Sequence, residues 1–344
     1  MLSANFLMSQ GECCGNGCVN CPYIPRHKKG NKNINNSKIQ SKSILYNWSE
    51  IMSEYLKMPM IGLGTWLLPN EIAEEVTTSA LNLGYRHIDT AQAYRNETGI
   101  GDAIKKSSLS RDDLFITTKM WPGMEPDNNF QNYDSVINSC NQSLSMLQIN
   151  EIDLYLIHAP FAKDLRLEQW QAFLDLKKDG KVKNIGVSNY NSHHLQEIED
   201  AGLEMPAANQ IEIHPYHLIR PTLDSYMTEH KILPIAYSSL APIPNWREGS
   251  RWNGKPEELK TGSMPYEDIA IKYQVSVPQL LLKWGIQMGY PVLPKSVKKD
   301  RLKENINLDH FEISLEDMTA LTNAHLDQQK CLAWSNGFDP LDSE

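Results

Sequence analysis

No apolar run in the 344 residues approaches the roughly 20 that a membrane-crossing helix needs, so no spanning helix and no membrane partner is expected. The opening residues, MLSANFLMSQGE, lack the basic and long apolar stretches of a secretory signal and the arginines of a transit peptide. The cytoplasm is therefore the expected compartment. Positive charge is in short supply. There are 33 Lys and Arg against 42 Asp and Glu, a net charge of −9, which argues against broad nucleic-acid binding while leaving room for a local anion site. Cysteine is scarce outside one spot. Of six, Cys13, Cys14, Cys18 and Cys21 fall within nine residues, and Cys140 and Cys331 stand alone. A disulfide framework would spread them through the chain, so a reducing compartment fits better.

What the chain does contain falls into parts. Residues 1–27 hold the cysteine cluster. Residues 28–54 include KKGNKNINNSKIQSKS (Lys28–Ser43), nearly without large apolar side chains. Such a stretch cannot bury enough surface to offset the entropy of ordering, so it reads as a flexible linker. Over residues 55–330 short apolar runs of strand type alternate with helical stretches, and residues 331–344 form a C-terminal tail. The runs are Met60–Trp66, Tyr85–Thr90, Leu114–Met120, Ile152–His158, Val182–Ser188, Ala207–Ile213, Leu233–Ser239 and Pro291–Lys295. Between them, segments such as NEIAEEVTTSALNLG and VPQLLLKWGIQMG place apolar residues at helical spacing. Gly84, Gly180, Gly202 and Gly289 end such patterns, where a left-handed residue is wanted.

Strands alternating with helices, eight units in all, predict an α/β fold with a parallel sheet closed into a (β/α)8 TIM barrel. The competitor is an open doubly wound sheet. Its GxGxxG fingerprint after the first strand is missing, and GLGTW (Gly62–Trp66) is too short to cradle a pyrophosphate in that manner.

Barrel enzymes carry their chemistry at the C-terminal ends of the strands. There the chain has Asp89, Lys119, His158, Ser188 with Asn189, Gln210 with Glu212, Tyr237 with Ser238, and Lys295 with Ser296. Tyr94 opens the helix after the second strand. Singly, each has an ordinary structural role, such as a cap, a hydrogen-bonded filler, a solvated lysine or a core aromatic. Together Asp89, Tyr94, Lys119 and His158 form a working set. An ammonium beside a phenol favours the phenolate and eases proton transfer, and a carboxylate holds the ammonium in place. An imidazole N–H can orient a carbonyl oxygen.

In these residues the chain resembles the aldo-keto reductase family. The matching pieces are MPMIGLGTW (Met58–Trp66), GYRHIDTAQAYRNETGIG (Gly84–Gly101), FITTKMW (Phe115–Trp121), DLYLIH (Asp153–His158) and GVSNY (Gly186–Tyr190). NQIEIHPY (Asn209–Tyr216), YSSL (Tyr237–Leu240) and LPKSVKKDRLKENI (Leu293–Ile306) complete them in family order. The resemblance implies a monomeric NADPH-dependent reductase of small-molecule aldehydes or ketones. In it Tyr94 is the proton donor, Lys119 and Asp89 assist, and His158 orients the carbonyl. It also implies that Ser188, Asn189 and Gln210 hold the nicotinamide carboxamide and that Tyr237 stacks on the ring. Gly64, Thr65 and Trp66 would line the cofactor channel beside Asp89, with Ser238 and Leu240 near the pyrophosphate. Lys295, Ser296, Val297 and Arg301 would surround an adenosine 2′-phosphate, with Glu304 and Asn305 by the adenine. Two cations and a hydroxyl suit a phosphate better than a bare ribose, which favours NADPH over NADH. Trp66, Trp121 and Phe161 would wall the substrate pocket beside Tyr94 and His158, and Trp246 and Trp252 would add a lid.

The chain departs from the family pattern in three places. Ala159 stands where many members have a Trp, Ala241–Pro265 is an insertion rich in proline and tryptophan, and SEIMSEYLKMP replaces the N-terminal hairpin. The cysteine cluster resembles a small oxidoreductase-like module of protein termini. Cys13, Cys14, Cys18 and Cys21 are candidate ligands for zinc or an iron–sulfur centre, with a disordered thiol-bearing tail the other reading and mitochondria the alternative location. Against the enzyme stand two competitors: a cofactor-binding regulatory subunit, and a redox-linked assembly, made by the cysteine head, in which the barrel reduces a carbonyl on a substrate delivered by a partner.

Overall fold

The aliphatic and β-branched runs form strands in the computed structural model, which describes residues 56–124, 127, 129–247, 255, 259, 266–324, 329–334 and 338–344. Among these residues seven strands lie in sequence order: β1 (Gly62–Gly64), β2 (His87–Asp89), β3 (Phe115–Met120), β4 (Ile152–Ile157), β5 (Val182–Ser188), β6 (Ala208–Glu212) and β7 (Leu233–Tyr237). Every neighbouring pair is parallel. All residues of β3 and β4 are buried, as strands covered on both faces must be.

The eighth run differs from the expectation of a full strand. Pro291 and Pro294 have no N–H to donate, so Pro291–Lys295 cannot form a complete ladder. Val292 instead bridges both open edges, pairing with Ile61 beside β1 and with Ala236 in β7. Gly62 N donates to Val292 O at 2.9 Å, Gly64 N to Pro294 O at 3.0 Å, and Ala236 N to Pro291 O at 2.8 Å. The ring is thus closed, and the fold is a (β/α)8 barrel whose eighth strand is cut short by proline. The seam is tight. A Cβ on Gly64 would lie 2.5 Å from the Leu293 carbonyl oxygen. Gly64→Ala is expected to cost about 1–3 kcal/mol, seen as a lower urea midpoint at unchanged m-value. An unmoved midpoint would mean that the seam yields without strain.

Helices α1 (Asn70–Asn82), α2 (Glu97–Lys106), α3 (Tyr133–Leu147), α4 (Arg166–Lys178), α5 (Ser192–Asp200) and α6 (Pro221–Glu229) alternate with the strands. Helices α7 (Glu267–Tyr273) and α8 (Val277–Gln287) precede the closing segment, and α9 (Lys299–Ile306) and α10 (Leu315–Asn323) follow it. In α1 the buried residues Ala73, Val76, Thr77, Ala80 and Leu81 recur at helical spacing, which gives the helix one apolar face for the barrel wall. Helix α8 opens with a reciprocal cap between Ser276 and Gln279 and carries Pro278 in its first turn. The four predicted terminator glycines all have positive φ, from 65° at Gly202 to 104° at Gly84.

The stretch read as a tail is packed rather than loose: Cys331, Leu332, Ala333 and Leu341 are buried. Among the described residues no helix is long and apolar enough to cross a membrane. The cysteine cluster, the linker, the segment replacing the hairpin up to Tyr55, and Trp252 lie outside the described residues.

Candidate active site

Strand ends β2, β3 and β4 bring the four expected residues together. Lys119, on β3, is fully buried, and its Nζ donates to Asp89 Oδ1 at 2.5 Å and to the Thr90 carbonyl at 2.8 Å. Tyr94 Oη is 3.5 Å from the same Nζ. Asp89 is held from its other side by Gln210, whose Nε2 donates to Oδ2 at 2.7 Å. Tyr94 ends a 3-10 turn (Gln92–Tyr94) rather than opening α2, and the left-handed Arg95 (φ 58°) follows it.

The electrostatics correct one expectation. Lys119 does pull the phenol of Tyr94 downward, but burial is the larger influence and Asp89 opposes the lysine, so its pKa ends above the ordinary value. The site therefore holds a protonated phenol. Burial also works against the charge on Lys119. Asp89 and Tyr94 outweigh it, and the lysine pKa is raised. His158 is the reverse case. Burial, then the charge of Lys119, hold the imidazole well below the usual histidine range, so it is neutral. Its Nδ1 is buried without a partner among the described residues. A proton there would be an unsatisfied buried donor costing about 1–3 kcal/mol, which puts the N–H on Nε2.

Aromatic rings frame this group. Tyr94 meets His158 edge to face at 5.5 Å, Trp121 meets His158 at 5.4 Å, and Trp66 stacks on Tyr94 at 6.2 Å. A cavity of about 1320 Å³ extends from them to the start of α9. Gly64, Thr65, Ser188, Asn189, Gln210, Tyr237, Ser238 and Leu240 line its middle reach. Lys295, Ser296, Val297, Arg301, Glu304 and Asn305 line the far end. Phe161 is not among the lining residues. It packs edge-on against Trp121 and Trp334, each at 5.9 Å, and both of these rings line the cavity. Asn189 (φ 63°) and Ser238 (φ 54°) both turn the chain in the left-handed region, a strain common where strands deliver polar groups to a site.

The chain matches the aldo/keto reductase family over residues 60–325. It belongs to that family. It is 37% identical over 284 residues to methylglyoxal reductase DkgA of Escherichia coli (strain K12), covering 82% of this chain and 93% of that one. It is 38% identical over 276 residues to glyoxal reductase of Bacillus subtilis (strain 168), covering 80% and 91%. Among solved structures, a Bombyx mori aldo-keto reductase in complex with NADP superposes with a TM-score of 0.66 at 30% identity, covering 77% and 88%. The chain is an oxidoreductase of this barrel family.

Sequence reasoning missed several residues of the reductase's cavity, Trp334 and Arg247 among them. Trp334 lines the cavity, and its Nε1 donates to the hydroxyl of Tyr237 at 2.9 Å. Tyr237 in turn donates to Asn189 Oδ1 at 2.7 Å, and Asn189 Nδ2 donates to the His158 carbonyl at 2.9 Å. Arg247, in the insertion, lies 3.8 Å over the ring of Trp66 and 4.0 Å over that of Trp246, and donates to Ser238 Oγ at 3.2 Å. Burial lowers its pKa to about 10, which leaves it charged at neutral pH. The expected lid residue Trp246 thus packs on an arginine. The signal for Arg247 was its place between tryptophans in an insertion. Trp334 had no local signal at all. Among the described residues no cluster of His, Cys, Asp or Glu is arranged to hold a metal ion.

Proposed function

We propose that this reductase converts an aldehyde or ketone to the alcohol using NADPH, with Tyr94 as proton donor. One observation carries the reading: a protonated phenol, a buried ammonium–carboxylate pair behind it and a neutral imidazole N–H converge on one end of a long cavity. Tyr94 gives its proton to the carbonyl oxygen, and Lys119 stabilises the phenolate left behind. Asp89 keeps that ammonium charged and fixed. His158 Nε2 donates to the same carbonyl oxygen and aligns it.

The residues fit the cofactor. Bound NADPH supplies the hydride. Gln210 retains its amide oxygen and an N–H after pairing with Asp89, and Asn189 Oδ1 retains a lone pair after accepting from Tyr237, a set suited to a carboxamide. Lys295, Ser296 and Arg301 gather at the other end, where a 2′-phosphate would favour NADPH over NADH. Arg301→Ala is expected to raise KM for NADPH about tenfold and leave that for NADH unmoved. An equal rise for both cofactors would remove the phosphate from this reading. The same proposal takes residues 55–330 as the catalytic barrel and gives no step to Cys13, Cys14, Cys18 or Cys21.

The names of the two bacterial relatives put methylglyoxal and glyoxal first in a substrate panel, followed by aromatic and aliphatic aldehydes. NADPH oxidation faster than NADH oxidation on such substrates is the expected result. Tight NADPH binding without turnover on any of them would instead make the protein a cofactor-binding regulatory subunit.

A further inference from the structure

Glu212 is buried at the C-terminal end of β6, yet it takes no part in the proton chemistry above. Its carboxylate is spent on a segment more than a hundred residues away. Oε1 accepts from Leu332 N at 2.7 Å and Ala333 N at 3.1 Å, and Oε2 accepts from Ala333 N at 3.0 Å and Cys331 Sγ at 3.0 Å. His214 Nε2 lies 2.7 Å from Oε1. The loop after β6 seconds the grip: Lys330 N donates to Tyr216 O at 2.8 Å, and Leu332 packs on Tyr216 and Ala241.

The residue that follows this clamp is Trp334. It lines the cavity, and its indole N–H begins the chain Trp334–Tyr237–Asn189 that ends on the His158 carbonyl. Backbone N–H groups held by a buried carboxylate give a segment a single placement, because releasing them would strand both the donors and the charge. We propose that Glu212 is a positioning residue for the carbonyl end of the cavity, acting through residues 331–333 to seat Trp334 as its wall. The inference rests on the reduction reading above and adds to it what sets the size of the substrate. Glu212 selects; it does not accelerate the chemistry. A bulky aromatic aldehyde, which must use more of that wall, depends on it more than a small dicarbonyl does.

The test is the full-length protein with Glu212→Gln, Trp334→Phe and the double variant, assayed on methylglyoxal and on a bulky aromatic aldehyde. Glutamine keeps the shape but turns one acceptor into a donor facing Ala333 N and Cys331 Sγ. The expected result is a KM for the aromatic aldehyde raised about tenfold in either single variant, a clearly larger rise than that of the methylglyoxal KM and larger than any fall in kcat. The double variant should show no larger effect than the singles, since both act through one wall. Equal changes for the two substrates, or effects that add in the double variant, overturn the proposal. If Glu212→Gln does not fold, Glu212→Asp, which keeps the charge and the acceptor oxygens but shortens their reach, takes its place, and an unchanged aromatic KM then overturns the proposal. Absence of turnover in the wild type would be a failure of the reduction reading, not of this one.

Discussion

Tyr94→Phe is expected to lower kcat/KM for every carbonyl substrate by about 10²- to 10⁴-fold while NADPH still binds. The substitution removes one oxygen and little else. The ring keeps its stack on Trp66 at 6.2 Å and its edge contact with His158 at 5.5 Å, so the cavity wall stands. What is lost is the group 3.5 Å from Lys119 Nζ that can release a proton toward the cavity end and leave its charge beside an ammonium. His158 cannot replace it, since burial and Lys119 hold its pKa well below the usual range and leave it no second proton to give. The pH profile of wild-type reduction carries the same logic. Tyr94 has its pKa raised and stays protonated, and His158 has its pKa lowered and stays neutral, so neither changes charge between about pH 5 and 8. Flat kcat across that range is expected, with loss only where Tyr94 would ionise at higher pH. A variant that keeps most of the wild-type kcat, or an inflection in the histidine range, would assign the proton to another group.

The strands were legible because parallel strands covered on both faces are rich in aliphatic and β-branched residues, and FITTKM and DLYLI carry such residues around Lys119 and Asp153. The same reasoning placed Asp89, Lys119 and His158 at adjacent strand ends, and so near one another. It overstated the eighth strand, because an apolar run containing two prolines can close a ring without laddering. It also misjudged the net effect on Tyr94. Charge partners can be guessed from spacing, but the depth of burial that outweighs them belongs to the assembled barrel. Trp334 reaches Tyr237 from 97 residues away, and Cys331 reaches Glu212 from 119 away. Contacts of that separation leave no periodicity or motif.

Lys119→Met is expected to cost the protein both its activity and much of its stability. The lysine is fully exchanged for an apolar side chain of similar length, so no large void opens. The damage falls on Asp89, which loses its 2.5 Å partner while remaining buried, with only the Gln210 amide at 2.7 Å to meet it. Removing one partner of a buried pair typically destabilises by about 3–5 kcal/mol, most of it the cost of the charge left behind. Denaturant unfolding should therefore show a large drop in midpoint for the single variant and substantial recovery when Asp89→Asn is added, because the double variant buries no charge. Activity should not follow the same course. Without an ammonium beside Tyr94, the phenol loses the influence that favours its ionised form, and turnover should fall about a hundredfold or more in the single and the double variant alike. The two readouts separate the two duties of the pair. Recovery of stability together with recovery of turnover would mean that Lys119 merely holds the fold and that Tyr94 needs no cation. Recovery of stability alone places the lysine in the proton transfer itself.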